Sequence, residues 1–172
     1  MQAEKIKHRK RTRLINADYN DNSTIFLTLC TENRRCILSH IVDDDILGCP
    51  KIKLTGYGQI ADKYIRQLND FYDNLVVENY VIMPNHIHIL MWVKGDEKEA
   101  LEVRTYTIQN SVPSKFVSTL KRFCNKECRV NIWQYRSYDH IIRNQEDYDK
   151  HFRYIEDNPI SWLCDELYDG DR

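Results

Sequence analysis

Two runs of strand-forming residues, 75–82 (LVVENYVI) and 86–93 (HIHILMWV), are separated only by Met83-Pro84-Asn85. Proline and asparagine at that spacing interrupt a strand and start a turn, so the pair predicts a β-hairpin. A lone hairpin is at best marginally stable in water, so the rest of the chain must cover its apolar face. Residues 24–31 (TIFLTLCT) predict an earlier strand, and 138–143 (YDHIIR) a later one. Between the first strand and the hairpin, Ile60, Ala61, Tyr64, Ile65, Leu68, Phe71 and Tyr72 recur at helical spacing, which predicts an amphipathic helix over 58–72. A second helix is expected from about Ser114, with Phe116, Val117, Leu120, Phe123 and Cys124 on one face. A third spans 145–158 and turns Tyr148, Phe152 and Ile155 inward, with Pro159 expected to stop it.

The order strand, helix, strand, strand, helix, strand, helix contains two β-α-β units. It predicts an α+β class, a ferredoxin-like split β-α-β fold whose antiparallel sheet carries its helices mainly on one face, plus a C-terminal helix. At 172 residues the chain suits one domain, 1–172, with a basic N-terminal arm at 1–20 and a polar loop at 95–112. Five glycines and four prolines are too few for repeats or linkers. No run reaches the roughly 18 apolar residues of a membrane span, so no membrane partner and a cytoplasmic location are expected. The six cysteines contain no CxxC pair, and Cys124 and Cys128 alone do not make a zinc site, so all are expected to be thiols.

The net charge is −1, low for a protein that grips duplex nucleic acid, yet the charges are segregated. Lys5, Lys7, Arg9, Lys10, Arg11 and Arg13 form a basic arm, and Lys115, Lys121, Arg122, Lys126 and Arg129 a second cluster. Arg136 and Arg143 flank a third, and the acidic residues collect elsewhere. Such segregation lets basic surface meet phosphates despite a neutral total.

Two local patterns point to chemistry. Side chains alternate along a strand, so His86 and His88 share a face, about 7 Å apart at Cα, and are placed to converge on one ion. On a helix, Tyr154 and Asn158 lie one turn apart on a shared face, presenting a hydroxyl and an amide together. Each pattern also has an ordinary structural reading: a hydrogen-bonded strand histidine, a packing tyrosine, a helix stop.

Taken in order, His86-Ile87-His88, Trp133-Gln134, Asp139-His140-Ile141-Ile142-Arg143-Asn144 and Tyr154-Ile155-x-x-Asn158-Pro159 resemble the REP-associated tyrosine transposases. These are relatives of the small single-tyrosine insertion-sequence transposases, in the HUH endonuclease superfamily. The likeness extends from about Arg9 to Tyr168 and includes Asp18-Tyr19 and Val81-Ile82-Met83-Pro84-Asn85. The resemblance implies that Tyr154 is the nucleophile, that His86 and His88 bind Mg²⁺ or Mn²⁺, and that Asn158 is the third ligand. One departure is Tyr135, where many relatives carry a basic residue.

The activity so implied is metal-dependent cleavage and rejoining of single-stranded DNA through a 5′-phosphotyrosine link. A phenol has a pKa of about 10 and needs help to act at neutral pH. Single-stranded or hairpin DNA is the expected partner. Lys7, Arg9, Lys10, Arg11 and Arg13, with Lys115, Lys121, Arg122, Arg136 and Arg143, are the expected phosphate contacts. Trp133 or Tyr138 would stack on unpaired bases, core packing being the stronger expectation for Tyr138. Arg143 either clamps a phosphate or pairs with Asp147, and His140 is expected as a hydrogen-bonded strand residue rather than a base. Both a monomer and a homodimer stay open. The rival readings are a non-catalytic hairpin DNA- or RNA-binding module and a small-molecule phosphoesterase. The latter would need carboxylates beside the histidines that the sequence does not place there.

Overall fold

The computed structural model describes residues 22–42, 50–95 and 111–162. The basic arm with Lys7, Arg9, Lys10, Arg11 and Arg13, and most of the 95–112 loop, lie outside the described residues. The elements are β1 (Ser23–Cys30), β2 (Ser39–Val42), β3 (Lys51–Leu54), α1 (Gly56–Phe71), β4 (Leu75–Ile82), β5 (His86–Val93), α2 (Val112–Cys128), β6 (Tyr138–Ile141) and α3 (Gln145–Ser161).

The main sheet has the order β4-β5-β1-β6, and every neighbouring pair is antiparallel. β5 therefore separates β1 from β4, and β1 separates β5 from β6, which is the split β-α-β arrangement twice over. Alternation along the strands sends Ile25, Leu27 and Leu29 of β1 and Ile87, Ile89, Met91 and Val93 of β5 to one face. There they meet Ala61, Ile65 and Leu68 of α1 and Phe116, Val117, Leu120 and Cys124 of α2. The opposite face offers Phe26, Val81 and Leu90 to Ile155 and Trp162 at the C-terminal end of the chain. A bulge in β4 between Val77 and Asn79 keeps both Val77 and Tyr80 against the α1–α2 core.

Three local features depart from the expectations. First, β2 and β3 form an unforeseen two-stranded hairpin, because four-residue strands such as Lys51–Leu54 are too short to register against their charged flanks. Its Ile41 and Ile52 pack beside Phe26 and extend the cover over the second face. Second, Pro159 does not stop α3, which continues to Ser161. A proline so near the end forfeits little backbone bonding, and buried Ile155, Asn158 and Trp162 hold the last turn in place. Third, β6 ends at Ile141, because Arg143 N–H already donates to the Asp147 carboxylate and Asn144 Oδ1 caps α3 through Asp147 N–H.

Helix starts also moved by a turn or less. α1 begins at Gly56 with Thr55 as its cap, and α2 begins at Val112 with Pro113 in its first turn. Gly58 is needed for contact rather than for its angles: a Cβ there would lie 2.0 Å from the Leu38 carbonyl oxygen.

Candidate active site

β5 is the scaffold of the site. Its odd-numbered residues are committed to the apolar core, so the strand cannot slip by one position without exposing four of them. That register places His86 opposite Cys30 and His88 opposite Thr28 on β1, both imidazoles facing α3. The turn before it is tied down on three sides. Thr31 N–H donates to Asn85 O at 2.9 Å, Leu38 N–H to Pro84 O at 2.9 Å, and Met83 N–H to His86 O at 2.9 Å.

Both imidazoles are buried, and their ring centroids are 4.4 Å apart. Nδ1 of His86 is 2.8 Å from Asn85 Oδ1, and Nδ1 of His88 is 2.9 Å from Thr28 Oγ1. An amide oxygen accepts only, so the proton of His86 sits on Nδ1 and its lone pair on Nε2. Nε2 of His88 is buried and makes no hydrogen bond. Burial, then the neighbouring His86 and His151, hold the His88 pKa well below its ordinary 6.5, so the ring is neutral and a competent ligand. Outer hydrogen bonds of this kind fix the tautomer and aim of metal-binding histidines.

α3 lies over this face. Tyr154 sets its ring edge-on to His88 at 5.1 Å and to Phe26 at 6.1 Å, while 41% of the residue stays exposed. Asn158 follows one turn on and is buried, and Trp162 covers His86 at 5.8 Å. The nucleophile candidate, both histidines and the amide therefore come from two elements of one chain. Their donors, two neutral imidazoles and an amide oxygen, suit a divalent ion that keeps its charge for an anionic ligand.

The basic residues are distributed unevenly about this site. Lys115 and Arg122 are exposed, but α2 lies in the layer across the sheet from Tyr154. Lys121 Nζ donates to the carbonyls of Gln134, Tyr135 and Arg136 at 2.8, 3.3 and 3.4 Å, bracing that loop. Arg136 and Arg143 are exposed. The groove beside the phenol carries Lys150 and Arg153 among its lining, together with three carboxylates, Glu146, Asp149 and Asp157. Lys150 and Arg153 were missed as candidate phosphate contacts, although their spacing of four and one from Tyr154 on a helix was readable. Thr28 was missed too, because only strand pairing brings it to His88.

The aromatic expectations reverse. Trp133 is buried with Ile132 in the α1–α2 core and cannot stack on a base, whereas Tyr138, on edge strand β6, is 52% exposed. Asp147 takes His140 and His151 as its side-chain partners, and Arg143 reaches it through the backbone N–H. His140 is thus the hydrogen-bonded strand residue expected. The Cys124 thiol is pushed up to about 12, chiefly by burial, and stays protonated. No helix among the described residues is long and apolar enough to cross a membrane.

No family model matches the chain. An uncharacterised protein of Haemophilus influenzae is 28% identical over 176 residues, covering 95% of this chain and 94% of that one. A REP-associated tyrosine transposase of Escherichia coli K12 is 29% identical over 85 residues, covering 49% of this chain and 44% of that protein. The alignment thus spans less than half of that named relative. A solved structure of a REP-associated tyrosine transposase bound to a REP hairpin superposes with a TM-score of 0.59 at 23% identity. The match covers 87% of this chain and 74% of that one, and at this identity it establishes the shared fold.

Proposed function

We propose that this chain, which is similar over 85 residues to a REP-associated tyrosine transposase, is a metal-dependent single-stranded DNA endonuclease and strand transferase of HUH type. The observation that carries the reading is the Tyr154 phenol lying against His88, 5.1 Å between ring centroids, on a half-exposed helix face. Two residues far apart in sequence, each ordinary alone, meet where the reaction needs both.

In the proposed step, Tyr154 Oη attacks a backbone phosphorus. The new O–P bond forms as the bond to the 3′-oxygen breaks, the phenol loses its proton, and the leaving oxygen gains one as a 3′-hydroxyl. The 5′-phosphotyrosine link conserves the bond energy, so a 3′-hydroxyl can reverse the step onto another strand without ATP. His86, His88 and Asn158 would hold Mg²⁺ or Mn²⁺, which polarises a non-bridging phosphate oxygen and offsets charge on the leaving oxygen. Thr28 and Asn85 keep the imidazoles aimed. Phe26 and Trp162 exclude water from the histidine side. Lys150 and Arg153 line the groove beside the phenol and would pair with phosphates there, between the carboxylates of Glu146, Asp149 and Asp157.

Hairpin DNA with a single-stranded flank is the proposed substrate, and one chain supplies all the catalytic groups. The test is incubation with a labelled hairpin oligonucleotide, with and without Mg²⁺ or Mn²⁺, followed by a denaturing gel. A metal-dependent covalent protein–DNA band is expected. Binding with no band under any metal condition would instead make the protein a hairpin-recognition module.

A further inference from the structure

We propose that His140, Asp147 and His151 form a second metal site, separate from His86 and His88, that takes a borderline divalent transition ion such as Zn²⁺. One ligating atom from each residue lies within 4.8 Å of the other two. His140 Nε2 is 2.8 Å from Asp147 Oδ2, and His151 Nδ1 is 3.2 Å from Asp147 Oδ1. The two imidazoles stack at 4.8 Å with planes 19° apart. Tetrahedral zinc bonds of about 2.0–2.2 Å place neighbouring ligand atoms about 3.3–3.6 Å apart. The His151–Asp147 spacing nearly meets that requirement, and the His140–Asp147 spacing, on the other carboxylate oxygen, is short of it by about half an ångström, which a small side-chain rotation supplies.

The three side chains are held by independent constraints. Asp147 accepts Arg143 N–H at 3.1 Å, and its own N–H donates to Asn144 Oδ1 at 2.9 Å. The His140 backbone is fixed by strand pairing with Phe26, and the His151 ring lies against the Phe26 ring at 4.7 Å. None of the three is fully buried, so water can reach the ion and complete its coordination.

A carboxylate only accepts, so in the metal-free protein the inward nitrogens of both histidines carry protons. His151 Nδ1 also donates to the Asp147 backbone oxygen at 2.8 Å. An ion takes the place of those protons: each imidazole binds through the inward nitrogen as a neutral ligand, its proton moving to the outer nitrogen or to water. Two imidazoles with one carboxylate favour Zn²⁺, Ni²⁺ or Co²⁺ over Mg²⁺. An ion here would tie β6 to α3 one turn before Tyr154, with the Phe26 ring between it and His88.

The inference stands without the transposase reading, and its test uses the full chain with Co²⁺ as the probe. A His86→Ala/His88→Ala variant, confirmed folded by circular dichroism, is expected to bind one Co²⁺ per chain with a visible absorption band. Adding Asp147→Asn or His140→Gln should weaken that binding at least about tenfold. In the unmutated protein, Co²⁺ should broaden the imidazole resonances of His140 and His151. No band in the folded double variant, or a band unaffected by Asp147→Asn, overturns the site. So does sharpness of both resonances at saturating Co²⁺, which decides the matter if a variant fails to fold.

Discussion

The two faces of the sheet are built from the same strands and do opposite work. On the α1–α2 face, β1 and β5 alternate in seven apolar residues that meet two amphipathic helices, and nothing polar interrupts them. On the α3 face the same strands present Phe26, Thr28, His86, His88 and Leu90, two apolar and three polar, under one helix and a short hairpin. The first face stabilises the register. The second uses that register to aim side chains whose burial would otherwise be costly. Chemistry here depends on a core it does not touch.

The comparison breaks most sharply at Tyr154. Tyr154→Phe keeps the ring that packs on Phe26 and His88, so folding and DNA binding should persist while the covalent protein–DNA band disappears. A surviving band would move the nucleophile elsewhere.

On the same face, His86→Ala with His88→Ala should lower metal-dependent cleavage by at least about 100-fold, in the range for removing groups that stabilise transition-state charge. Single-turnover rates across Mn²⁺ concentrations check this, and unchanged rates would refute the assignment of these ligands. Across the sheet, Ile89→Ala should cost about 2–5 kcal/mol of stability, as for other buried large-to-small changes. Urea melts read this loss, and an intact midpoint would mean the α1–α2 face is not the stabilising one.

A finer distinction lies at Thr28, which touches no substrate. Thr28→Val preserves shape but removes the partner of His88 Nδ1, so metal affinity should drop about 10- to 100-fold with little change in melting. Isothermal titration separates that from a packing defect.

The smallest effect concerns pH. The folded-state pKa of His88 lies well below the 6.5 of the unfolded chain, mainly through burial. The unfolded state therefore binds the proton first, and the stability from keeping this ring neutral is complete above about pH 6.5 and lost progressively as pH falls below it. In metal-free protein, His88→Phe should flatten the decline between about pH 6.5 and 5. An unchanged slope would place the acid sensitivity in other groups.

Much of this was legible before any coordinates. Periodicities of 2 and 3.6 place β1, β4, β5, α1 and α2 within a few residues, because each buries a continuous apolar stripe. The hairpin of β2 and β3 was not legible, since its strands are four residues each and its contribution to the core is Ile41 and Ile52. The end of α3 was misjudged because local proline sterics compete with the burial of Asn158 and Trp162, a contest only packing resolves. Trp133 and Tyr138 exchanged roles for a related reason: composition says nothing about whether a residue falls on an edge strand or under a helix.

Local order along the chain determined the alternating strands, the shared face of His86 and His88, and the one-turn spacing of Tyr154 and Asn158, because each follows from backbone repeat alone. Only the tertiary structure decided that the histidine face and the tyrosine helix lie against each other, that Thr28 supports His88, and that His140 and His151 share Asp147. Apart from the one-turn His151–Asp147 pair, those are contacts between residues 7 to 66 positions apart, set by sheet order and helix placement, which no repeat in the sequence encodes.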